Sequence, residues 1–381
     1  MIRVLHVSGM EELLQAYKSH FRFSEVVFDF VLRRGGQPLR FPNELDGAVH
    51  YVTPFQQSPI MWAWEIRKIV KNGNYNFVHC HASWGNALIA LFCWDQKSKV
   101  VLHSHSTAPQ KNIAKALIRG LLRIVMISLA DFRLAPTEAA GREMFGPFFN
   151  ILPNATDYQN FSFSDVARTE WRKSLNIGEE EFLIAHVGHL TWAKNHSFLI
   201  KSFAAHYVAS QTSKLLLVGS DLGERDRLVS QVAELGITEH VIFLDYSSDI
   251  AGILNAADCF VFPSHVEGFG IALVEAQISG LPCIVADHLP SEAVISGRVI
   301  RIGLSRGPDS WGRVITQISR QWISGSLLPR AAEFALDRKY EASGLGPVVE
   351  NFYLTESMGD RRFSRRIARL RRERKRMVQE L

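Results

Sequence analysis

The chain has 381 residues, 47% of them hydrophobic, and a formal net charge of +5. That length exceeds what one hydrophobic core ordinarily serves, so two domains are expected, and the apolar content excludes a largely disordered chain. The charge is local: ten Arg or Lys and three acidic residues lie between Asp360 and Leu381, which puts +7 there and leaves −2 on the rest.

The first ten residues, MIRVLHVSGM, turn polar too soon for a signal peptide, and no uninterrupted apolar run reaches about 18 residues. Val4 to Val7 predicts a first strand, Ser8-Gly9-Met10 a turn, and Glu11 to Lys18 a helix. Strands are predicted at 26–31, 49–52, 77–80, 100–103 and 132–135, with helices between most of them, for example 61–71 and 86–94. This alternation argues for a doubly wound α/β domain. The run from Ile113 to Ala135 is interrupted by charges and fits an amphipathic helix followed by a strand.

Pro153 to Asp157 forms a turn-rich exit. A second alternating series then begins at Phe182 to Val187 and continues through 215–218, 241–244, 259–262 and 283–285. Two such architectures in tandem imply a cleft between them, and clefts of that kind commonly bind ligands. Cys80, Cys93, Cys259 and Cys283 are scattered without a CxxC pair, so buried reduced thiols are expected.

The densest information lies between Ala256 and Asp287. Cys259 to Phe262 predicts a buried parallel strand, Ile271 to Ser279 a helix ended by Gly280-Leu281-Pro282, and Cys283 to Val285 the next strand. Glu267, Gly268, Phe269 and Gly270 fall at the strand-to-helix turn, where ligands of such sheets sit. Glycines allow close backbone approach, and amides at a helix start suit a phosphate. Glu267 and Glu275 would repel phosphate, so sugar hydroxyls are their expected partners. Together these parts suggest a nucleotide-sugar site.

The segment EGFGIALVE resembles the E-x7-E signature of the retaining GT-B glycosyltransferases of family four. Its surroundings resemble the branch that builds bacterial capsule, exopolysaccharide and lipopolysaccharide chains. The resemblance implies a GT-B fold of two doubly wound Rossmann-like domains facing across a cleft. It divides the chain into an acceptor-side domain at 1–157, a nucleotide-sugar domain at 158–338 and a helix at 339–357 crossing back to the first domain. Residues 358–381 are a basic tail outside the resemblance; Phe363, Ile367, Leu370, Met377 and Leu381 recur there at helical spacing. Such a helix suits an anionic membrane surface; a solvated helix, a partner-binding arm and a nucleic-acid arm are the alternatives.

His186 to Leu190 followed by Lys194-Asn195-His196 resembles the family's HVGR…KNH segment, in which an arginine and a lysine hold the diphosphate. Lys194 keeps the lysine; His189 stands where the arginine is expected. The segment VLHSHST resembles the HSHN of the capsule-type enzymes, which implies that His105 contacts the reacting sugar and that His103 is a satisfied histidine at the strand end. His79 and His81, in VHCHASW, resemble another family motif, with His81 lining the cleft. A two-histidine metal site is the rival reading of these pairs, but no carboxylates accompany them at ligand spacing, so no metal is expected. Ser8-Gly9-Met10-Glu11 occupies the place of the family's glycine-rich loop, and Phe243 to Asp249 the loop that receives the nucleobase, where Tyr246 is a candidate for packing on the base. Asp258 is a structural cap.

The implied reaction moves a sugar from a nucleotide-diphosphate sugar to a glycan or lipid-linked acceptor with retention of configuration. The expected catalytic residues are His105, Lys194 and Glu267. Gly9, His189, Lys194, Tyr246, Gly268, Phe269, Gly270 and Glu275 are expected to bind the donor. The co-substrate is the only small molecule implied, with no cofactor, and the expected location is the cytoplasmic face of the inner membrane. A non-catalytic GT-B scaffold in a polysaccharide assembly complex is the alternative.

Overall fold

A computed structural model describes residues 1–7, 10–23, 25–36, 47–81, 84–105, 113–326, 330 and 336–357. Gly9 and the basic tail from 358 onward lie outside the described residues. The described residues divide into two compact units, 1–155 with 340–357 and 156–339, each built on one parallel sheet.

In the first unit the strands are β1 Ile2–Val7, β2 Val26–Arg33, β3 Val49–Val52, β4 Phe77–Cys80, β5 Lys99–His103, β6 Phe132–Ala135 and β7 Asn150–Ile151, in the order β3-β2-β1-β4-β5-β6-β7. Side chains alternate across this sheet. Leu5, Val7, Val78, Cys80, Val100 and Leu102 meet the helices Pro59–Gly73 and Asn86–Cys93 through Trp62, Ile66 and Ala90. Val4, Phe28, Phe77 and Val101 face the other way, against Leu14 and Tyr17 of the helix Glu11–Lys18 and Val349 and Tyr353 of the helix Ala342–Ser357. The same alternation puts His6, His79 and His103 on that second face. Glu350 fastens the last helix by accepting from the Arg22 and Phe23 amides, each at 2.7 Å.

In the second unit the strands are β8 Phe182–Val187, β9 Ser213–Val218, β10 Val241–Leu244, β11 Cys259–Phe262, β12 Cys283–Ala286 and β13 Val299–Ile302, in the order β10-β9-β8-β11-β12-β13. Asp258 is buried, accepts from the Leu183 amide at 2.8 Å and pairs with Arg168 at 2.6 Å and Arg172 at 3.1 Å. That is a structural role. All four cysteines are buried thiols.

Each strand order reverses once, between β1 and β4 and between β8 and β11. Connections on either side of such a reversal leave in opposite directions, which opens a crevice beyond the strand C-termini. Lys194 and Glu267 follow β8 and β11. His6, His79 and His81 lie at the ends of β1 and β4.

Candidate active site

In the second unit, β8 gives way at Gly188 to a loop that closes in a 3-10 turn, Trp192–Lys194. Asn195 then takes left-handed backbone (φ 58°), a conformation asparagine tolerates, and the helix His196–Tyr207 begins. Two bonds fasten this loop to the one after β11: the Asn195 side-chain amide donates to the Pro263 carbonyl at 3.0 Å, and the His265 amide donates to the Ala193 carbonyl at 2.7 Å. Between them the Lys194 ammonium meets a Glu267 carboxylate oxygen at 2.7 Å. The pair is sheltered, with side chains 22% and 9% exposed, and the ammonium lies 5.0 Å from the Phe262 ring centre. A lysine and a glutamate 73 residues apart are thus brought together at the reversal point of the sheet.

The loop's position depends on close backbone approach. A Cβ on Gly219 would stand 2.3 Å from the Gly188 carbonyl oxygen, so it would displace the backbone that carries Lys194. Gly219→Ala is expected to lower the unfolding free energy by about 1–3 kcal/mol in denaturant titration. Gly178→Ala is expected to change little, because its nearest neighbour atom would be 3.5 Å away.

Gly268, Phe269 and Gly270 are buried, and Gly270 caps the helix Ile271–Ile278 at φ 91°, a backbone only glycine adopts at low cost. The first amides of any helix lack intrahelical acceptors, so this end suits an anion. Glu275 sits in the second turn, half-buried between fully buried neighbours. His189 is exposed on the loop after β8, yet neighbouring protein atoms strip part of the hydration from its ring; that and then the nearby Lys194 charge hold its pKa below the usual imidazole value. Tyr246 is exposed after β10, beside Asp245, which pairs with Arg225 at 2.5 Å. A cavity of about 380 Å³ opens beside this site rather than in it, lined by Trp192 and His265, which stack 4.6 Å apart, and by Thr191, Glu224 and Arg227.

In the first unit the strand ends gather five imidazoles. His6 is level with His79 across β1 and β4, and His79 with Val101 across β4 and β5, which places His103 two residues further on, on the same face. His81 and His105 continue the alternation. Three rings form a chain: His6 Nδ1 lies 3.1 Å from His81 Nε2, His81 Nδ1 lies 3.0 Å from His105 Nε2, and His105 Nδ1 lies 3.2 Å from Asn154 Oδ1. With the Asn154 carbonyl accepting, each neutral ring carries its proton on Nδ1. His79 bonds instead to the Tyr353 hydroxyl at 2.5 Å. Burial lowers the pKa of all five, His79 to about 3 and His105 to about 4.

This corrects the reading of His103 as satisfied. It is 1% exposed, and neither ring nitrogen has a hydrogen-bond partner; the Leu152 carbonyl is near enough to favour its charged form but not in bonding geometry. Sequence reasoning also missed His6. The available signal was a histidine at the end of the first strand beside two HxH pairs at the ends of its sheet neighbours.

The model for the family "Glycosyl transferases group 1" matches residues 167–320, and that for "Glycosyltransferase Family 4" matches residues 9–152. The chain is 30% identical over 336 residues to "Putative glycosyltransferase EpsF" of Bacillus subtilis (strain 168), spanning 83% of this chain and 87% of that protein. It is 26% identical over 301 residues to the D-inositol 3-phosphate glycosyltransferase of Actinosynnema mirum, spanning 71% of each. Among solved structures, Anabaena HepE in complex with UDP and glucose superposes with a TM-score of 0.71 at 18% identity, covering 94% of this chain and 100% of that one. With the two parallel sheets, these likenesses establish that the chain belongs to the group 1, family 4 glycosyltransferases and has the GT-B fold.

Proposed function

We propose that the chain transfers a sugar from a nucleotide-diphosphate sugar to a glycan or lipid-linked acceptor, with retention of anomeric configuration, in bacterial surface-polysaccharide synthesis. The observation that carries this reading is the Lys194–Glu267 pair at the reversal between β8 and β11. In this reading Lys194 and the amides at Gly268 to Gly270 receive the charge that develops on the departing diphosphate, which fixed donors in a sheltered site stabilise strongly. Glu267 orients the donor sugar, Glu275 holds the ribose, Tyr246 packs on the base and His105 contacts the reacting sugar. A bound divalent ion on the diphosphate is then unnecessary. A fold neighbour described with UDP and glucose supports a nucleotide-sugar donor.

The test supplies purified protein with a panel of nucleotide sugars and a lipid-linked acceptor and reads the anomeric proton of the product by NMR. A product with the donor's configuration, formed at least as fast in chelator as without it, is expected. Inverted product, or transfer abolished by chelator, contradicts the proposal.

His189 sets a pH dependence. A diphosphate favours its imidazolium, so the bound-state pKa exceeds the lowered free-state value, and binding takes up a proton. Donor affinity therefore falls as pH rises through the bound-state pKa. His189→Arg is expected to tighten donor binding at pH 8 by roughly tenfold and to flatten this profile, as read by calorimetry, because arginine is always charged and grips phosphate bidentately.

The acceptor reading puts the chain peripherally on the inner face of the cytoplasmic membrane, with nucleic acid not expected as a partner. Support comes from the helix Ile113–Leu129, where Leu117, Ile118, Leu121 and Ile124 are exposed. Among the described residues no helix is long and apolar enough to cross a membrane.

A further inference from the structure

We infer that His81, His103 and His105 of the first unit form a binding site for one divalent transition-metal ion of the zinc class. One ring nitrogen from each of the three lies within 4.8 Å of the others. In a tetrahedral zinc site, bonds of about 2.0–2.1 Å put ligand nitrogens about 3.3 Å apart, so modest ring movements close the geometry. Three neutral imidazoles suit zinc, copper or nickel, whereas calcium and magnesium require oxygen ligands.

Three further observations point to a ligand here. His103 is 1% exposed yet has no hydrogen-bond partner on either ring nitrogen, which leaves its lone pair buried without a donor. Asn154 Oδ1, 3.2 Å from His105 Nδ1, fixes the tautomer in which His105 Nε2 carries its lone pair, as outer-sphere acceptors do for metal-binding histidines. His105 is half-buried while the other two are buried, so an ion would enter, and a fourth ligand would bind, from its side.

The protons balance. Coordination through His81 Nδ1 moves that ring's proton to Nε2, which donates to His6 Nδ1 across the existing 3.1 Å contact; His6 then carries its proton on Nε2. No proton leaves the protein. A second group, His6, His79 and His81, meets the same distance limit but shares His81 and is buried throughout, so one ion binds per chain. That ion takes His105 Nε2, so it competes with the sugar contact assigned above, a consequence that rests on the proposed function.

The test uses the full chain without a polyhistidine tag, stripped with chelator and dialysed against Zn²⁺ or Co²⁺. The unsubstituted chain is expected to retain about one equivalent of metal, to give the intense visible absorption of tetrahedral nitrogen-ligated Co²⁺, and to unfold at a higher temperature until chelator is added. His103→Phe is expected to retain less than about one-tenth of an equivalent while keeping its circular dichroism. Retention below about one-tenth of an equivalent by the unsubstituted chain, a weak octahedral Co²⁺ spectrum, or full retention by folded His103→Phe overturns the inference. The Co²⁺ spectrum needs no variant, so misfolding cannot shield the inference. Metal content does not report transfer, so failure here leaves the transferase reading standing, and an inactive chain could still bind the ion.

Discussion

Lys194→Ala is expected to lower kcat/KM for the nucleotide sugar by roughly 10²–10³, the cost of removing one fixed donor from a charge that develops in the transition state. The same change is expected to weaken binding of the bare nucleotide diphosphate by at least about tenfold, because in the proposed mechanism the lost ammonium is a ground-state phosphate contact too. Glu267→Gln separates the two roles. Without the donor, the carboxylate holds the ammonium at 2.7 Å and neutralises it. Neutralising Glu267 releases Lys194 to the phosphate, so nucleotide-diphosphate affinity is expected to hold or rise while turnover falls by roughly 10², since the sugar loses its orienting acceptor. Steady-state kinetics with calorimetry on the two single variants and the double variant reads this divergence. Parallel loss of affinity in both single variants would show that the pair is merely structural.

A steep loss of stability on acidification is the second large effect. His186, His196 and His206 of the second unit are buried, and burial lowers the pKa of each, to about 4 for His196 and His206. His186 spends Nδ1 on the Val261 carbonyl at 2.8 Å, and His206 is held by Thr316 at 2.9 Å and Ser213 at 2.8 Å. Below pH about 6.5 the unfolded chain binds protons that these folded histidines refuse. Their contribution is therefore complete above the unfolded pKa and is lost as pH falls toward the folded values. The slope is at most about 1.4 kcal/mol per pH unit for each histidine in that window, so roughly 4 kcal/mol per unit for three. The first unit's buried histidines act with the same sign. Denaturant midpoints between pH 7.5 and 5 are expected to fall steadily, and His206→Gln to reduce the slope. A flat profile down to pH 5 would contradict the burial of neutral imidazoles.

The inner strands were legible because strands buried on both faces read as short apolar runs such as CFVF and FLIAHV, and β8 and β11 occupy the predicted residues. Of the four edge strands among the described residues, β3 and β10 were predicted, whereas β7 and β13 went unpredicted. Asn150 and Ile151 are exposed, and Val299–Ile302 carries Arg301 among partly exposed residues, so neither shows a buried pattern. The glycine-bracketed turn at 267–270 was visible from residue types alone, since Gly270 takes a backbone other residues resist. The Lys194–Glu267 contact was not, because it depends on which strands become neighbours across 73 residues. His6 was missed for the same reason: only the pairing of β1 with β4 sets it beside His79. His103 looked satisfied because a strand end normally offers partners, and here the neighbouring positions are themselves histidines.

Nucleotide recognition by the second unit's loops is tested most directly by calorimetric titration of the purified chain, Lys194→Ala and Glu275→Ala with UDP, GDP, ADP and their sugars. One base should bind the unsubstituted chain in the micromolar range, Lys194→Ala should lose the diphosphate contribution, and Glu275→Ala should lose affinity for nucleosides as well as for nucleotides. Absence of binding for every base, or equal affinity across all three proteins, would contradict a donor site at 194, 267 and 275.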